Sequence, residues 1–241
     1  MKETIKSATM VIIINLLNLL ITTLFGFLVS ICLDYDNYAY YKLYGLYVSF
    51  VGFGHFGFIN GIYLKYGRYN YEELPRDKFC VFFRVLLLMQ LLVVLILAGT
   101  TAVSSIETIK KHVLLYVCMN LSVININCYF ALVNQFTKRF RYDCYAVIGK
   151  CIVEVVLIVL LLLDCICDGN SVLFWVFVEN MLMLIINIIN NRTIVFGHCK
   201  IDKYIIRECR GFVKVGFFVM ISEFIGLIVL GIDGLFVYYY F

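Results

Sequence analysis

The chain has 241 residues, of which 63% are hydrophobic and 15% charged, and its mean hydropathy is +0.95. A soluble domain of this length needs far more polar surface, so the apolar excess has to face lipid. The net charge of +4 is spread over separate short loops, which argues against nucleic acid as a partner.

Seven apolar windows follow one another, at about 9–33, 43–64, 82–103, 113–136, 145–165, 172–189 and 212–232. Each is long enough to cross a bilayer as a helix, for which about 20 mostly apolar residues suffice. None shows the strict alternation of a membrane β-barrel. The first window follows Met1, Lys2 and Lys6. It is too long for the apolar core of a secretory leader and reads as a retained span. The second is rich in glycine, with Gly45, Gly52, Gly54, Gly57 and Gly61 around His55 and Asn60. The Gly57–Gly61 spacing predicts close helix packing, with a bendable helix beside a substrate path as the alternative. Pro75 is the only proline and fits the start of the third helix. Any bending inside a span therefore falls to glycine.

Lys and Arg placement sets the expected orientation. With the N-terminus in the cytoplasm, sixteen of the twenty basic residues fall in cytoplasmic segments, from Lys2 and Lys6 through Lys65–Arg84 and Lys138–Arg141 to Arg192–Lys214. Lys42, Lys110 and Lys111 fall outside, and Lys150 lies within a span. Seven crossings place the C-terminus outside. The long basic loop before the seventh window is the best boundary between two structural units.

Charges at membrane depth are costly and are functional candidates by default. Lys150 and Glu154 lie four apart in the fifth window, share a helix face and can pair, either as a structural pair that holds helices together or as lining of a cavity. Lys150 is near enough to the cytoplasmic end to snorkel. Glu179, in the sixth window, and Glu223, in the seventh, have no partner on their own helices and are expected to face a hydrated interior. Asp233 sits at the outer end of the seventh. Lys150, Glu154, Glu179 and Glu223, with His55 and Asn60 behind them, are the cavity candidates. His55 also fits a hydrogen-bonded interior histidine. The asparagines Asn15, Asn18, Asn120, Asn125, Asn127, Asn187 and Asn190 add amide groups to the spans. The ten cysteines lack zinc spacing and read as small apolar packing residues. No HExxH, GxSxG or phosphate-binding loop is present, so neither catalysis nor a cofactor or metal is expected.

The stretch from Tyr47 to Gly67, containing Gly52-Phe53-Gly54-His55-Phe56-Gly57-Phe58-Ile59-Asn60-Gly61, followed by Glu73-Leu74-Pro75 and Phe79, resembles the O-antigen type polysaccharide flippases of the multidrug/oligosaccharidyl-lipid/polysaccharide exporter superfamily. The segment from Gly211 to Val237, with Lys214-Val215-Gly216-Phe217, Ile221-Ser222 and Gly231-Ile232-Asp233, resembles the start of that family's second lobe. The apolar windows give an all-α polytopic bundle of about seven transmembrane helices, which agrees with the plan of that family. A six-helix N-terminal lobe would span 1–195; a cytoplasmic linker and the first helix of a second lobe would span 196–241. The resemblance implies a flippase of the cell membrane that moves an undecaprenyl-pyrophosphate-linked oligosaccharide to the outer leaflet by alternating access. Such flippases carry a full second lobe and more basic residues in the cavity, and often an Asp-Arg pair where Asp233-Gly234 stands here. A second copy of the chain or a separate C-terminal half is therefore expected to complete the cleft. A non-transporting subunit of a glycan-export complex, or an inactive shortened transporter, is the alternative.

Overall fold

The computed structural model describes residues 2–105, 107–198 and 202–240, with backbone alone at 2–8, 109 and 230–240. The regular elements are helices: α1 (Lys2–Cys32), α2 (Tyr35–Ser49), α3 (Phe58–Tyr66), α4 (Arg76–Val103), α5 (Thr108–Phe136), α6 (Phe140–Leu162), α7 (Gly169–Asn190), the short α8 (Arg192–Val195) and α9 (Lys203–Tyr240). Among the described residues six are long and apolar enough to cross a membrane singly, and α2 with α3, bent by 54°, makes a seventh if the pair is one span. The protein is thus a multi-pass membrane helix bundle. Apolar side chains such as Leu16, Leu20, Leu92 and Ile96 stand on its outer surface, as lipid contact requires.

Contacts fix the direction of each crossing. The Asn37 carboxamide, at the start of α2, accepts from the backbone N–H of Gly169 at the start of α7 (2.7 Å). At the other end, Lys65 and Tyr66 of α3 reach Glu208 near the start of α9. The α2–α3 pair therefore runs from one face of the bundle to the other as a broken span. Helix α1 lies parallel to α6, with Asn18 opposite Lys150 and Thr22 opposite Glu154. Helix α7 lies parallel to α5, and α9 packs chiefly on α3.

Lys65, Lys78, Arg139 and Arg192 gather at one end of the bundle. Lys110 and Lys111 sit at the opposite end, and Lys42 lies midway along α2. At the basic end Arg139 is sandwiched between the rings of Tyr71 and Tyr142, 3.8 and 3.9 Å from their centroids. Its guanidinium also donates to Asn191 and to the carbonyl of Asn190, tying the start of α6 to the end of α7. An aromatic core lies above it, built from Phe58, Tyr66, Phe79, Phe82 and Phe212.

Three expectations need correction. The second window is not one continuous helix, because a 3-10 turn (Val51–His55) and left-handed Phe56 (φ 49°) and Gly57 (φ 74°) interrupt it. The expected linker after residue 196 is largely helical, since α9 begins at Lys203. Its polar residues form the first turns of a helix that continues into the apolar run. Cys80 is disulfide-bonded and so is not a plain packing residue, while Cys118, Cys144 and Cys209 are buried thiols. Pro75 caps α4 one residue before its first helical position, and its carbonyl accepts from Lys78 and Phe79. Lys200 and the side chain of Asp233 lie outside the described residues.

Candidate functional site

Lys150 lies ten residues into α6, which is about 15 Å along its axis and near the middle of a spanning helix. Its ammonium does not snorkel to the surface. It turns inward to Glu179 on α7 (3.4 Å) and to Glu154 one turn further along α6 (3.8 Å). Helix α1 closes the cluster. Lys150 donates to the side-chain amide oxygen Oδ1 of Asn18 and to the Thr22 hydroxyl, and the Thr22 hydroxyl donates to Glu154 (3.1 Å). Both carboxylates are buried, while Lys150 keeps 22% of its side chain exposed. The expected Lys150–Glu154 pair is present, and Glu179 joins it from another helix. Tyr41 and Tyr44 of α2 lie within electrostatic reach of Glu179, and the buried Tyr44 hydroxyl has no hydrogen-bond partner among the described residues.

Two carboxyl groups share the one ammonium of this cluster. At membrane depth such charge is tolerated only with partners, and here three helices supply them.

The other candidates stand elsewhere. The Asn60 carboxamide donates to both oxygens of Glu223 (3.3 and 3.4 Å), joining α3 to α9. Glu223 is exposed at the bundle surface, not in the interior with Glu179. His55 is buried, and its Nδ1 accepts from the N–H of Gly57 (3.1 Å). That makes it the interior histidine expected, serving the break in the second span.

The break has its own polar support. The Asn125 carboxamide donates to the carbonyl of Val51 (3.1 Å) and to Gln90 (2.8 Å), and Gln90 donates to the carbonyl of Gly54 (3.1 Å). These buried amides satisfy carbonyls that the interrupted helix leaves free, as irregular backbone within a membrane demands. On the far side of the break, Gly57 and Gly61 touch α9 backbone to backbone. A Cβ on Gly57 or Gly216 would overlap the other residue's backbone, and one on Gly61 would overlap Phe212. The close packing expected from the Gly57–Gly61 spacing is therefore present.

Asparagines also lace α5 to α7. Asn180 donates to Asn120 and Asn187 donates to Asn127, both at 3.0 Å and both across 60 residues of chain. The seven-residue step on each helix is the register of two parallel helices with a polar seam.

Glu208 is the site that motif reading missed. It accepts from Lys65 (2.6 Å), from the Tyr66 hydroxyl (2.6 Å) and from Lys78 (3.4 Å). A lone carboxylate between Arg207 and Arg210, in an otherwise basic stretch, was the available signal.

No family model, no curated protein and no solved structure matches the chain.

Proposed function

We propose that this chain is a membrane transporter of lipid-linked oligosaccharide, acting as a flippase or as half of one. The observation that carries the reading is the Lys150–Glu154–Glu179 cluster, ionisable groups from two helices gathered about halfway through the membrane and bordered by a third. The broken second span adds support, since interrupted helices with satisfied backbone are typical of transporter interiors. The Tyr47–Gly67 stretch supplies the resemblance that names the substrate class.

In this reading the basic end of the bundle faces the cytoplasm, with the N-terminus, and the C-terminus faces the outside. The crossings before residue 196 form one lobe, and α9 belongs to a second. Residues 221–229 of α9 are all exposed, which suits a helix that a second copy or a separate C-terminal half covers. The lipid-linked headgroup then occupies the cleft between lobes.

Deleting the gene should leave lipid-linked glycan on the cytoplasmic leaflet and deplete surface polysaccharide. The purified chain, with its completing half, should restore flipping in vesicles. Normal surface polysaccharide in the deletion strain excludes this function. A second reading, a non-transporting subunit of a glycan-export complex, is favoured by the pairing of Glu154 and Glu179 with Lys150, which suits a static support. Co-purification with a partner without flipping in vesicles selects that reading.

A further inference from the structure

Helices α3 and α9 cross backbone to backbone at Gly57–Gly216 and Gly61–Phe212, and below that crossing they leave a groove. Gly61, Leu64 and Lys65 line it from α3, and Gly211, Phe212 and Val215 from α9, with Glu208 at its polar end. From Glu208 to Val215 the groove follows about 10 Å of helix. It opens at the end of the bundle where most of the basic residues lie.

The polar end carries surplus positive charge. Two ammonium groups, Lys65 and Lys78, oppose the one carboxylate of Glu208. Glu208 is buried beneath them, while Lys65 keeps 49% of its side chain exposed and retains N–H donors beyond the one given to the carboxylate. Arg207 and Lys214 are exposed and lie four residues before and three after Gly211, on the same face of α9. Asp202, at the foot of α9, is the nearby acidic residue in sequence. The remainder of the groove is apolar and shaped by glycine. A Cβ added at Gly211 meets nothing within 4 Å, so the groove is open there.

We propose that this groove binds an anionic phospholipid, with the headgroup phosphate on Lys65 and the first part of one acyl chain against Gly211 and Val215. Charge complementarity at one end and an open apolar channel leading away from it match the two halves of such a lipid. Basic pockets between transmembrane helices on the cytoplasmic side recognise phospholipid headgroups by this chemistry. The proposal does not depend on the transport reading.

The test uses the full chain in vesicles of phosphatidylcholine, with and without phosphatidylglycerol, and reads the thermal unfolding midpoint together with lipid retained in native mass spectra. Phosphatidylglycerol should raise the midpoint and remain bound, because a ligand held by the folded state stabilises it. Gly211→Leu, which fills the groove without touching the α3–α9 crossing, should abolish both effects without lowering the midpoint in phosphatidylcholine. Lys65→Gln should abolish them too, and Lys65→Arg should keep them. The proposal is overturned if the two vesicle types give the same midpoint, or if the increment survives Gly211→Leu. It is also overturned if inorganic phosphate alone reproduces the increment, since that marks a free-anion site.

Discussion

Lys150 and Glu179 meet across the α6–α7 interface with Nζ and Oε1 3.4 Å apart, although 29 residues and a change of direction separate them in the chain. The contact makes a buried charge on one helix depend on its neighbour. Lys150→Met should therefore leave two buried carboxylates without their cation and cost about 3 kcal/mol of stability. Adding Glu154→Gln and Glu179→Gln to that variant should recover most of the loss. Thermal unfolding in a single detergent measures both, and a triple variant no more stable than Lys150→Met refutes the account.

The glycines of the α3–α9 crossing should be irreplaceable. Gly57→Ala and Gly216→Ala each place a Cβ in the other helix's backbone, and such overpacking costs about 1–3 kcal/mol. Gly57 adds the penalty of a left-handed backbone (φ 74°). Gly45→Ala, where a Cβ meets open space on α2, should be neutral or stabilising by about 0.5–1 kcal/mol. Unfolding midpoints of the three variants side by side decide it, and equal losses at all three would remove the close approach as their cause.

Gln90 and Asn125 act on the broken span as a unit. Asn125 bonds both Gln90 and the Val51 carbonyl, and Gln90 bonds the Gly54 carbonyl. Gln90→Leu and Asn125→Leu should each cost about 1–3 kcal/mol by leaving a buried carbonyl unsatisfied. The double variant should fall short of the sum by about 1 kcal/mol, the coupling of residues in one network. Strict additivity in the double-mutant cycle is the contrary result.

At the opposite end of the bundle Asp168 caps α7 by accepting from the Ser171 backbone N–H (2.9 Å). Hydrogen bonds from the Ser171 side chain and backbone hold its carboxyl below the usual aspartate value. A carboxyl depressed in the folded state contributes stability that is full above its unfolded value and disappears as pH falls through the folded one. Asp168→Ala should cost about 1 kcal/mol at neutral pH. The gap between variant and parent should close below about pH 4, and unfolding followed across that range reads it. A gap that widens on acidification contradicts the cap.

The spans were legible because lipid selects long apolar runs, and such runs need no knowledge of neighbours. Lys150 with Glu154 was legible for a similar reason, since helical spacing alone places them on one face. The partner of Glu179 was not, because it comes from another helix. The break in the second span was equally hidden. The run Val51–His55 lies inside a continuous apolar window, and the amides that support its interruption come from α4 and α5. Glycine at 57 signalled that bending was possible without fixing where the helix stops. Glu208 was overlooked because its cations lie 143 and 130 residues away, beyond any local pattern.

Orientation is open to a direct experiment with the native cysteines. Cys165 and Cys167 are exposed thiols in the turn between α6 and α7, at the end of the bundle opposite Lys65, Lys78 and Arg139. Cys118, Cys144 and Cys209 are buried. If the basic end faces the cytoplasm, a membrane-impermeant maleimide added to intact cells should label Cys165 and Cys167. A variant with both replaced by serine should lose that label. A cysteine placed at Lys138, in the turn between α5 and α6, should react only after the membrane is opened. The reverse pattern inverts the protein in the membrane. It would also put the Lys65–Glu208 groove in the outer leaflet, so the two experiments constrain one another.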